Sequence, residues 1–233
     1  LDMMGYDIRE VLPEVFRIPV PLEGNPLKEL NSYLFRGSRE AKQRNLLVDT
    51  GFRTEGCKKA LLKGLGQLGV SMEDTDILLT HLHADHSGNA PELIRPGGRV
   101  YISREDYRFM DGTLQEHRSE RFRENGIEES LLQAMLACTP SRTMAAPFSF
   151  RDYTLLEEGD VISAGRYTLR AIWTPGHTPG HFCFEVCGTG AMLLGDHVLF
   201  DITPNITDWW DVSDSLGDYL RSLDKLEAYP VTL

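Results

Sequence analysis

Apolar positions fall into two rhythms along the chain. Short apolar runs at 14–20, 31–35 and 45–48, separated by turns such as Pro21-Leu22-Glu23-Gly24-Asn25-Pro26, predict a meander of strands feeding a sheet. Over 54–68 the spacing changes to helical: Ala60, Leu61, Leu65 and Leu68 recur on one face, Thr54 can cap the start, and Gly69 supplies a stop. Ile77-Leu78-Leu79 then forms a run that suits a buried strand and delivers the chain straight into a histidine-rich segment.

Beyond that segment the pattern predicts a short helix near 90–94 and a strand near 99–102. Residues at about 104–150 carry helical character with alternating charge and read as an insertion, with helices over 115–124 and 128–137 broken at Asn125-Gly126, and with Pro140 and Pro147 ending the helical pattern. Strands return at 161–162, 167–173, 181–186 and 191–194. A last amphipathic helix is expected over 214–226, with Leu216, Leu220, Leu223 and Leu226 on one face and Ser213 or Asp214 as cap. Two strand-rich halves, each with helices, imply one layered α/β domain over 1–233.

Composition narrows the functions open to such a domain. The chain has 233 residues, 41% of them hydrophobic and 25% charged, enough for a substantial core. No apolar run approaches the roughly 18 residues that span a bilayer, and the opening residues lack the basic start and apolar stretch of a secretory signal. The expectation is a cytoplasmic protein with no membrane insertion. A net charge of −11 disfavours a general nucleic-acid binder, which needs clustered Lys and Arg. Cys57, Cys138, Cys183 and Cys187 include no C-x-x-C pair and are expected as free thiols, with Cys183 and Cys187 facing one side of a strand.

Three segments carry the chemistry, each following an apolar strand. Thr80-His81-Leu82-His83-Ala84-Asp85-His86 packs three imidazoles and a carboxylate into the six positions from His81. In extended chain His81 and His83 point the same way and can hold one ion, while a turn after Ala84 lets Asp85 and His86 face a second. Nitrogen and oxygen ligands suit zinc first, with manganese or iron chemically allowed. In Thr174-Pro175-Gly176-His177-Thr178-Pro179-Gly180-His181, Gly and Pro shape a loop from which His177 projects. Leu193-Leu194-Gly195-Asp196 ends in a carboxylate suited to bridging two ions. His181 and His197 each neighbour a better ligand and are read as structural or supporting, and His117, in a charged helix, as solvated.

The order H-x-H-x-D-H, T-P-G-H-T-x-G-H, G-D resembles the metallo-β-lactamase superfamily over most of the chain. Leu47-Val48-Asp49-Thr50-Gly51 is similar to that family's first motif, whose aspartate, here Asp49, supports the metal loop without binding metal. The resemblance implies a four-layer αββα sandwich. It also implies two divalent ions: His81, His83 and His177 on the first, Asp85 and His86 on the second, and Asp196 between them. The family's final metal-binding histidine after the last helix has no counterpart before Leu233, and truncation just ahead of it is the favoured explanation. Asp196 in place of a cysteine argues against a true β-lactamase and towards the glyoxalase II-like or lactonase-like branches.

The implied activity is hydrolysis of a small-molecule acyl substrate. Two such ions make hydroxide available near neutral pH to attack an ester, thioester or lactone carbonyl, with Asp85 as the catalytic residue that orients the nucleophile and moves a proton to the leaving group. The insertion is the expected substrate lid. Its arginines, Arg104, Arg108, Arg118, Arg121, Arg123, Arg142 and Arg151, suggest a clamp for an anionic thioester, but eight acidic residues in the same stretch favour a solvated charged face. Phe109, Met110, Leu114, Met135 and Phe148 suit an apolar lid or a homodimer contact. Two other activities fit the same superfamily: a persulfide dioxygenase-like oxidoreductase with one iron on His81, His177 and Asp196, and an RNA-processing nuclease, against which the acidic balance counts.

Overall fold

The structure, a computed structural model, describes residues 7–139, 143–200 and 202–231, without the side chains at 113–115 and 118. Seven strands form one sheet in chain order: β1 (Arg9–Leu12), β2 (Val15–Pro21), β3 (Glu29–Phe35), β4 (Asn45–Val48), β5 (Thr75–Leu78), β6 (Val100–Ser103) and β7 (Thr154–Leu156). The first four pair antiparallel as the expected meander, and β4 to β7 pair parallel. The remaining strands, β8 (Val161–Ala164), β9 (Tyr167–Trp173), β10 (Phe182–Val186) and β11 (Ala191–Leu193), make an antiparallel sheet in the order β11-β10-β9-β8.

Period-two alternation assigns each strand face to a core. On β2, Phe16, Ile18 and Val20 join a cluster under the first helix, α1 (Glu55–Gln67), with Leu61 and Leu65. Val15, on the opposite face, packs between the two sheets with Phe35, Leu46, Val48, Leu169, Phe182 and Phe184. The parallel strands β4 and β5 are buried on both faces, which is why Leu46-Leu47 and Ile77-Leu78 read as unbroken apolar runs. α1 starts where expected: the Thr54 hydroxyl accepts from the Cys57 backbone N–H.

Between β5 and β6 lie two single-turn helices, α2 (Ala84–Ser87) and α3 (Ala90–Leu93). The insertion folds as α4 (Arg104–Arg108), α5 (Thr113–Glu124) and α6 (Glu129–Ala137). α5 and α6 break at Asn125-Gly126, where Gly126 takes φ of +81°. Pro140, Arg142 and the side chains of Leu114 and Arg118 lie outside the described residues.

The last helix, α7 (Ser215–Glu227), is capped by Asp214 as expected, but its leucine face does not enter a core. Leu216 and Leu220 are exposed, and the buried residue is Ser222, whose hydroxyl donates to the Pro175 carbonyl. The helix meets a polar loop backbone rather than an apolar sheet, so a small hydroxyl fits where a leucine would not. No helix among the described residues is long and apolar enough to cross a membrane.

Candidate metal centre

β4, β5 and β6 run parallel in register, so their C-terminal ends emerge on one edge of the sheet. Asp49 follows β4, Thr80 and His81 follow β5, and α4 follows β6. The second sheet is tied to the same edge by the Phe182 N–H, which donates to the Thr80 carbonyl at 3.0 Å. The segments after β5, β9 and β11 meet here, bringing His81, His177 and Asp196 together as the sequence pattern suggested.

Hydrogen bonds determine which nitrogen each imidazole turns inward. Both Asp49 oxygens are occupied by Thr80, Oδ1 by its backbone N–H and Oδ2 by its hydroxyl, each at 2.9 Å. Having given its proton to Asp49, the Thr80 hydroxyl oxygen accepts from His81 Nδ1 at 3.0 Å. His86 Nδ1 donates to Asp49 Oδ2 at 2.8 Å, and His177 Nδ1 donates to the Asn205 carbonyl at 2.7 Å. In all three rings Nδ1 carries the committed proton, which leaves Nε2 facing the centre.

The inward atoms crowd one another. His81 Nε2 lies 3.1 Å from His83 Nδ1. Buried His177 Nε2 has no hydrogen-bond partner among the described residues. One ligand atom from each of His81, His83 and His177 lies within 4.8 Å of the others, and the same holds for His81, His86 and Asp196. Asp196 spans the two groups, with Oδ1 at 3.2 Å from His86 Nε2 and Oδ2 at 3.6 Å from His177 Nε2. Imidazole nitrogens and a carboxylate held this close, mostly buried, are the donor types and spacing that a divalent cation takes, so the donor set fits divalent metal.

The electrostatics agree. Burial, with His86, His83 and His177 close by, holds His81 well below the ordinary histidine range, and burial also lowers His177. Both rings are therefore neutral at pH 7, the form in which an imidazole can bind a cation. Burial works against charging His86 as well, but the Asp196 and Asp49 carboxylates outweigh it and hold its pKa well above the ordinary value. In the bare site that ring carries a proton on Nε2, which a cation would displace. Burial would raise Asp196, yet His86 and His177 hold it well below the usual carboxylate range.

Asp85 stands apart from the other sequence-derived candidates. It lies half-buried in the first turn of α2, close enough to influence the charge on His177, but it belongs to neither ligand-distance group. His181 supports Asp196: its Nε2 accepts the Asp196 backbone N–H at 3.2 Å. A β-carbon at Gly195, which has φ of +51°, would strike that same Nε2. His197 is buried beside Tyr219, with neither ring nitrogen bonded among the described residues, and burial followed by His177 pushes its pKa down to about 4. His117 is not simply solvated; its ring stacks on Trp210 at 4.4 Å.

Three supporting residues lie outside the motifs read in the sequence. Asp106, fully buried in α4, accepts the Leu82 N–H and the Thr178 hydroxyl on Oδ2 and the Gly180 N–H on Oδ1, at 2.8, 2.9 and 2.7 Å. It thus ties the His81 loop to the His177 loop, and a β-carbon at Gly180 would collide with it. Burial raises its pKa to about 7 against the pull of those donors. Asn205 orients His177. Trp209 donates its indole N–H to the His177 carbonyl at 3.2 Å and lies over His83, rings 6.0 Å apart and 25° from parallel. Only the S/T-x-x-D spacing of Ser103 and Asp106, a helix-start pattern, could have drawn attention to α4.

The insertion's arginines are spent at the surface. Arg104 pairs with Glu157, Arg108 with Glu105 and Asp211, Arg121 with Asp208, and Arg123 with Glu129. Arg151 lies over the Tyr107 ring. The charged-face reading describes these residues better than an anion clamp. Beside His83 the insertion instead encloses a cavity of about 120 Å³, whose walls include Phe109, Met110, Ala146, Phe148 and Trp209.

Residues 29–233 match the profile of the metallo-beta-lactamase superfamily. A metallo-beta-lactamase family protein of Thermus thermophilus has a TM-score of 0.80 and 32% identity to this chain, covering 95% of this chain and 72% of its own. The lactamase-like protein adaB of Aspergillus niger is 28% identical over 94% of this chain and 53% of its own length. An atrochrysone carboxyl ACP thioesterase of Paecilomyces divaricatus is 27% identical over 95% of this chain and 54% of its own. The chain spans about half the length of these curated relatives.

Proposed function

The chain belongs to the metallo-beta-lactamase superfamily, and from that premise we propose that it is a metal-dependent hydrolase of acyl compounds, with thioesters the favoured class among esters, thioesters and lactones. The observation that carries this reading is the convergence of His81, His83 and His177, and of His81, His86 and Asp196, with one possible ligand atom of each within 4.8 Å of the others in its group. Thioesters are favoured because relatives over nearly the whole of this chain are named as ACP thioesterases.

His81, His83 and His177 would hold one cation, zinc first by ligand chemistry. His86, Asp85 and Asp196 would hold a second, with Asp196 shared. Such cations, when bound, supply positive charge that polarises a carbonyl and lowers the pKa of water from 15.7 to about 7 in the case of zinc. The protein's own residues do the rest. Asp49 and Asn205 hold the imidazoles to the right tautomer and direction. Asp85, half-buried in the first turn of α2, would take a proton and pass it to the leaving group. The helical insertion serves as the lid, with Trp209 and Phe109 keeping water from the His83 side.

Metal analysis of the purified chain, followed by an ester, thioester and lactone panel before and after chelation, tests this reading. Cleavage lost with chelation and restored by zinc, manganese or iron is the expected result. A metal-loaded chain inert across the panel overturns it.

A further inference from the structure

The cavity beside His83 allows a statement about the substrate that the metal ligands alone do not. Phe109, Ala146 and Trp209 are buried, and Phe148, about half exposed, forms the rim. The polar atom of Trp209 is occupied by the His177 carbonyl, so the indole presents carbon to the cavity. Its face is fixed by the His83 ring on one side and by Phe109, edge-on at 5.5 Å and 71°, on another. Asp208, the charged residue on this wall, is turned into an ion pair with Arg121. The wall is therefore mostly apolar, with Ser87, Tyr153, Asn205 and Thr207 as its other polar members.

Resting on the hydrolase reading above, we propose that this cavity receives the acyl group of the substrate and selects a compact apolar one, an aromatic ring or a short branched chain, over both acetyl and long straight chains. Size sets the upper bound: an apolar cavity of about 150 Å³ takes benzene, and this one is about 120 Å³. Wall chemistry decides which half of the substrate enters. A long polar carrier arm would lose its water against a wall that is mostly carbon and offers it few partners, whereas a ring gains aromatic contacts on two sides. The cavity lies against His83, so a group seated in it brings its carbonyl to the metal ligands while the leaving group stays towards solvent.

The test uses N-acetylcysteamine thioesters that share one leaving group and differ in the acyl part: acetyl, phenylacetyl and decanoyl. With metal-loaded protein, kcat/KM for phenylacetyl should exceed both others by about tenfold or more, the scale of burying one such group. Ala146→Phe, which fills the cavity, should collapse the phenylacetyl-to-acetyl ratio, and Phe148→Ala, which opens the rim, should move the preference towards decanoyl. Binding of phenylacetamide to the metal-free chain, followed by indole fluorescence with Trp209→Phe as the control, reports on the cavity without turnover. Hydrolysis with no acyl preference and no phenylacetamide binding overturns this inference and leaves the hydrolase intact. Saturable binding lost in Ala146→Phe, with no thioester cleaved, keeps the cavity as a site for ring-sized apolar ligands and overturns the acyl assignment.

Discussion

The strand-end cradle and the helical insertion that leans over it are built on opposite principles. In the cradle, His81, His86, His177, His181, Asp49 and Asp106 are buried to within a few per cent of full exclusion, and partners on several elements position them. In α5 and α6 the charged side chains pair at the surface, and Leu131 and Met135 are exposed while Leu132 and Leu136 alone of that helix are buried. The buried donor atoms are held by hydrogen bonds from several elements, whereas the ion pairs of α5 and α6 lie at the surface.

The sharpest way to break that contrast is at the cradle's centre. His81 belongs to both ligand groups, so His81→Ala should remove bound metal, read by elemental analysis, and lower kcat/KM by more than about a thousandfold. Next comes the tie between the loops. Asp106→Ala leaves two backbone N–H groups and a hydroxyl buried without an acceptor, at about 1–3 kcal/mol each. The urea midpoint should fall accordingly, zinc affinity should drop about 10- to 100-fold as for other residues that orient ligands, and Asp106→Asn should recover part of both.

A smaller effect follows from pH. His197 is buried neutral, its folded pKa near 4 against 6.5 in the unfolded chain. Between those values the unfolded chain binds the extra proton, so this stability is complete above pH 6.5 and is lost as pH falls towards 4, about 3 kcal/mol in all. Urea unfolding of chelated protein across that window should show a shallower decline in His197→Phe than in the parent. The smallest effect belongs to the insertion: Arg123→Ala, which removes an exposed pair with Glu129, should leave the urea midpoint essentially where it is in the parent. A loss comparable to that of Asp106→Ala would erase the distinction between the two regions.

Legibility in the sequence followed the same division. β4 and β9 were read to the residue because doubly buried or alternating strands announce themselves locally. β1 and β7 were missed: β1 is an exposed edge strand with no apolar run, and β7 is three residues long. The leucines of α7 followed helical periodicity correctly, but periodicity does not say which neighbour a face will meet, and here the helix docks through Ser222 and Tyr219. His181 and His197 were read as supporting residues, and the structure gives His181 a specific task, holding the Asp196 backbone.

The sequence by itself determined the chemistry on offer and its address: closely spaced histidines and carboxylates directly after apolar strands, in segments short enough for spacing alone to restrict how the side chains project. Tertiary structure decided everything that depends on residues far apart in the chain. Asp106 meets both Leu82 and Gly180, Asn205 meets His177, and Trp209 covers His83, because two sheets fold these segments onto one edge. Such contacts leave no periodic trace. A lone Asp or Trp becomes part of a site only when distant backbone arrives to meet it.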